Sequence, residues 1–114
     1  MPTDVPLTVV DDIAALVEVQ PESTVSRVVL RGEGARVVVF AFDSGQELTE
    51  HTASVPALLH VLSGHLTVTA GGSTFELRPG GLAHFAARLP HALVAREPTV
   101  LQLTMLQGAA AAAT

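Results

Sequence analysis

Five histidines, at positions 51, 60, 65, 84 and 91, carry most of the chemistry this sequence can offer. Imidazole nitrogen binds divalent transition metals and moves protons near neutral pH. The other options are few. There is no cysteine, which removes thiolate nucleophiles, thiolate ligands and disulfides. Gly32-Glu33-Gly34 is a turn with no helix after it, so no dinucleotide fingerprint and no nucleotide cofactor is expected. Ser63 beside Gly64 lacks the flanking glycines of a nucleophile elbow and reads as a turn serine. Glu47 and Glu50 are the acidic residues closest in sequence to His51. Glu47 shares strand parity with it and could add an oxygen ligand, whereas Glu50 has the opposite parity.

The elements that must position these groups are strands. Leu7 to Val10 is a short strand, and Asp12 to Val17 forms about two helical turns behind an aspartate N-cap. From Val25 onward short apolar runs alternate with glycine and proline turns. Strands are expected at Val25–Leu30, Val37–Phe42, Glu47–Ala53, Ala57–Leu62, Leu66–Thr69, Thr74–Leu77, Leu82–Ala86, Ala92–Ala95 and Val100–Leu106. Gly71-Gly72 is a hairpin signal. About nine or ten such strands without long helices mean an all-β sandwich or barrel.

Composition narrows the function classes. A chain of 114 residues suits one domain. The division expected is 1–34 as strands and a short helix packed on the barrel, 35–106 as the barrel, and 107–114 as a disordered alanine-rich tail. The net charge is −5, and all six basic residues are arginines scattered along the chain. With no basic patch, and with neither tyrosine nor tryptophan to stack bases, a nucleic-acid partner is not expected. No apolar run reaches the roughly 20 residues of a membrane span. The first residues lack a secretory signal pattern, so a cytoplasmic protein is expected. The apolar share of 48% is high for a soluble domain, and part of it is expected to cover a homodimer interface.

Two stretches carry a resemblance. Gly45 to Gly64 reads GQELTEHTASVPALLHVLSG, and Pro79 to His91 reads PGGLAHFAARLPH. Together they resemble the two signature motifs of the cupin superfamily. The first family motif runs glycine, five residues, His, any residue, His, three or four residues, Glu, six residues, Gly. Gly45, His51 and Gly64 match it, while Ala53 and Ala57 stand where the second histidine and the glutamate belong. The second runs Gly, five residues, Pro, any residue, Gly, two residues, His. Gly80 and His91 match it, with Ala86 and Arg88 in place of the inner proline and glycine. The resemblance spans roughly residues 35 to 106. It implies an antiparallel double-stranded β-helix, the jelly-roll barrel, with a short N-terminal helix or turn before it.

The same resemblance implies a divalent metal, Fe, Mn, Ni, Cu or Zn, bound inside the barrel with a small, largely apolar molecule. Of the family's four ligand positions this chain keeps two, His51 and His91. A third ligand is needed for tight binding. His60 is the first candidate, although regular parity points it away from Leu59 and Val61. A bulge near Pro56 would turn it inward. His84 is the other candidate, and the turn before His91 leaves its side open. His65, after the Gly64 turn, is expected in solvent, and Arg88 could meet an anionic ligand at the barrel mouth. The alternatives are a metal-free barrel that binds or senses a small molecule, and a structural dimeric module.

Overall fold

The structure is a computed structural model and describes residues 7–107. Among these residues nine strands form two antiparallel sheets. The strands are β1 (Thr24–Gly32), β2 (Ala35–Phe42), β3 (Glu47–His51), β4 (Ala57–Ser63), β5 (Leu66–Ala70), β6 (Ser73–Leu77), β7 (Leu82–Phe85), β8 (His91–Ala95) and β9 (Thr99–Met105). One sheet has the order β1-β2-β9-β4-β7 and the other β3-β8-β5-β6. This is the expected all-β jelly roll, and the crossings between its sheets are made by short glycine and proline turns.

The inner faces follow from two-residue periodicity. In β4, Ala57, Leu59 and Val61 are buried while Leu58, His60 and Leu62 are half-buried. In β5, Leu66, Val68 and Ala70 face inward, and in β8 His91, Leu93 and Ala95 do. With Phe42, Phe85 and Leu101 these side chains make one core. Each fully buried aliphatic or aromatic side chain contributes about 1.5–3 kcal/mol.

The N-terminal segment departs from expectation. Residues 7–10 form no strand. No neighbouring strand completes a ladder with them, and Leu7 and Val9 lie 76% and 68% exposed. The two helical turns reduce to one 3-10 turn, Ile13–Leu16, and Asp12 makes no capping hydrogen bond. Ile13 and Val17 are β-branched and resist a longer helix. The turn packs on β1 and β2, where Arg27 donates to the Leu16 carbonyl. β1 itself forms the edge of the five-stranded sheet. The tail expected to be disordered falls, beyond Gln107, outside the described residues.

Gly64 links β4 to β5 with φ at +93°. A side chain there would also run into Pro98 and Thr99. Thr99 is fully buried and answers the turn: its Oγ1 accepts from the His65 N–H and donates to the Glu97 carbonyl.

Candidate functional site

His51 ends β3 and His91 begins β8, and the two are direct cross-strand partners. Partners across an antiparallel pair project to the same face. Their rings lie with centroids 4.3 Å apart at an interplanar angle of 61°. A bulge makes this possible. Between Leu48 and His51 the strand advances three residues while β8 advances from Leu93 to His91. The extra residue puts Leu48 and His51 on one inner face. The same bulge overturns the parity argument for Glu47, which is exposed and pairs with Val94 on the outer side.

Each imidazole is oriented by its own backbone. Nδ1 of His51 lies 2.9 Å from the Thr49 carbonyl oxygen. Nδ1 of His91 lies 2.8 Å from that of Leu89. A carbonyl only accepts, so both Nδ1 atoms carry hydrogen. In the neutral rings the lone pair then sits on Nε2. Neither Nε2 has a hydrogen-bond partner among the described residues. His91 is buried, 7% exposed, and Phe85 stacks on its other face at 4.5 Å and 18°. His51 is exposed at the opening.

The cavity between the sheets is otherwise apolar. Phe40, Leu48, Leu59, Leu93, Leu101 and Leu103 line it with the two histidines and Phe85, and its free space is about 20 Å³. That is room for about one water. A larger guest has to sit at the mouth or displace side chains.

The other candidates are not brought to this point. β4 is regular from Ala57 through Val61, and its irregularity comes only between Val61 and Ser63. His60 therefore keeps the parity of Leu58 and points away from the cavity, opposite Leu82. His84 pairs with Leu58 and is exposed on the same outer face. Arg88 is exposed too, with φ at +66° and its N–H bonded to the Ala53 carbonyl. Among the described residues no group of three His, Asp or Glu comes together as a metal site.

A polar cluster on the outer face of the four-stranded sheet was not foreseen. His65 Nε2 lies 2.6 Å from Glu76 Oε1, which also accepts from Thr67 Oγ1 at 2.8 Å. Arg96 Nε donates to Thr67 Oγ1 at 2.7 Å. The Thr67 hydrogen bond, followed by that of His65, holds the Glu76 carboxyl below its ordinary range. His65 is thus half-buried and bonded, not free in solvent. The signal was present in the hairpin: a turn at Gly71-Gly72 pairs Thr67 with Glu76.

The donor set at the cavity is two imidazole nitrogens without a carboxylate, which suits a borderline transition ion better than Mg or Ca. Ring centroids 4.3 Å apart bring the two donors to one opening. Two nitrogens hold an ion weakly, with the rest of its shell left to water or ligand.

Solved structures share this architecture. A conserved protein of unknown function from Streptococcus pyogenes is 26% identical, with 90% of each chain covered and a TM-score of 0.78. A cupin 2 conserved barrel domain protein from Leptotrichia buccalis is 27% identical at a TM-score of 0.75, over 82% of this chain and 46% of that one. A cupin superfamily protein from Desulfitobacterium hafniense is 19% identical at a TM-score of 0.77, over 82% of this chain and 86% of that one. No curated protein matches the chain. The family model described as "Cupin domain" matches residues 38–106, from the middle of β2 to just past β9, and the chain therefore belongs to the cupin family.

Proposed function

We propose that this cupin binds a divalent transition metal through Nε2 of His51 and Nε2 of His91, and that a small, largely apolar molecule reaches the same opening. The observation that carries this reading is the pair of adjacent imidazoles whose Nδ1 atoms are both committed to backbone carbonyls. Two unpaired lone pairs beside an apolar wall call for a cation or a donor. A bound metal would supply Lewis acidity at the mouth. Phe85 holds the His91 ring in place, and the leucines make the wall behind it apolar. His60 has no part in this site.

The test is elemental analysis and calorimetry on chelator-treated protein titrated with Zn, Ni, Cu, Mn and Fe(II). One equivalent of at least one ion should bind. His51→Ala and His91→Ala should each weaken binding at least tenfold, and His60→Ala should leave it unchanged. No binding of any ion, or equal loss in His60→Ala, contradicts the reading.

The missing third ligand favours one alternative, a metal-free site in which the two Nε2 atoms accept hydrogen bonds from a small molecule. Ligand-induced thermal stabilisation that chelators leave intact would select it. The proposal includes a homodimer in the cytoplasm. Sedimentation of the full chain at micromolar concentration reads the first part, and a strict monomer would remove it.

A further inference from the structure

Among the described residues one buried polar side-chain atom lacks a hydrogen-bond partner, Nε of Arg36. Arg36 precedes Val38 and Phe40 along the inner face of β2. Its Nη2 lies 3.3 Å from the Met105 sulfur, a weak acceptor for a group with five donors. The chain has 11 acidic residues, yet the salt bridge found among the described residues joins His65 and Glu76, not Arg36. Directly across β1 stands a second cation, Arg31. A half-buried guanidinium whose Nε has no partner among the described residues, whose Nη2 meets a sulfur, and which has a like charge beside it is unfavourable for the folded barrel alone.

The register places it at the histidine end. Arg36 pairs with Met105, Met105 with Ala57, and Ala57 with Phe85. These four residues form one row across the inner face of the five-stranded sheet. Phe85 closes the row by stacking on His91.

We propose that Arg36 is the oxyanion anchor of the molecule admitted at this end of the barrel, and that this molecule is a small carboxylate. The inference rests on the reading that the barrel mouth binds a small molecule, and it names that molecule's class. The guanidinium fork matches the two oxygens of a carboxylate. A single negative charge suits one arginine in a chain of net charge −5, and Leu103 and Leu59, two residues along from Met105 and Ala57 and part of the cavity wall, suit a short apolar remainder.

Calorimetry on the full chain at fixed ionic strength tests this with matched probes, benzoate against benzamide and propionate against propionamide. The wild type should bind at least one acid at least tenfold tighter than its amide. Arg36→Met should abolish that preference, while the ligand-free melting temperature holds or rises because an unsatisfied donor is gone. If the methionine variant fails to fold, Arg36→Gln carries the same reading. Equal binding of acid and amide to the wild type, or a preference that survives in the variants, overturns the anchor and leaves the small-molecule site standing. Binding of neither acid nor amide overturns both.

Discussion

Phe85 and His91 lie face to face, ring centroids 4.5 Å apart and 18° from parallel, at the end of the cavity. Phe85 is 3% exposed, so its ring both fills the core and fixes the imidazole. Phe85→Ala should cost about 3–5 kcal/mol in urea unfolding. Phe85→Leu should cost less than half as much but still loosen the His91 ring, read as broadened side-chain resonances. A loss under about 1 kcal/mol for Phe85→Ala would show that the stack is not formed.

Gly64 meets two demands at once. Its φ of +93° disfavours any side chain, and Pro98 and Thr99 leave no room for one. Gly64→Ala should destabilise the protein by about 3 kcal/mol or more. Gly45 shares the positive φ, at +85°, but nothing stands within 4 Å of the place a Cβ would take. Gly45→Ala should therefore cost only about 1–2 kcal/mol, the conformational part alone.

Arg88 occupies the motif position where the family places glycine, and its φ is +66°. Its side chain is exposed, so little packing is lost on removing it. Arg88→Gly should leave thermal stability unchanged or raise it by up to about 1 kcal/mol. A clear loss of stability would mean that the side chain holds a contact at the mouth.

Glu76 makes a prediction about acid. Its carboxyl titrates below the ordinary glutamate range in the folded protein, through Thr67 first and His65 second. A lowered folded value means that the unfolded chain takes up the proton first as pH falls. The stabilisation is complete above the unfolded value and disappears as pH drops through the folded one, from about pH 5 downward. Melting temperature should fall less steeply below pH 5 in Glu76→Gln and in Thr67→Val than in the wild type. Parallel curves for all three proteins would contradict it.

The barrel was legible because its signals are local. Short apolar runs such as β4, β5 and β9, and turns at Gly64, Gly71-Gly72 and Gly80, each set a strand end without distant help. The site was legible in part. His51 and His91 were found by their motif spacing. Glu47 was misplaced because parity holds only along an unbroken ladder, and one extra residue before His51 reverses it. His60 was offered a bulge near Pro56, but the irregularity of β4 falls after Val61. Bulge positions depend on the partner strand, which a single strand's residues do not specify. Arg36 gave no sign in the sequence, since its unpaired Nε shows only once the fold has buried it beside β9.

The most direct test is nitrogen-15 correlation spectroscopy of the histidine rings, recorded without metal and after one equivalent of Zn(II). Both His51 and His91 should show hydrogen on Nδ1 in the free protein, and both Nε2 resonances should shift together on adding the ion. Hydrogen on Nε2 of either ring, or a metal response confined to His60, His65 or His84, would contradict a site built on two adjacent Nε2 lone pairs.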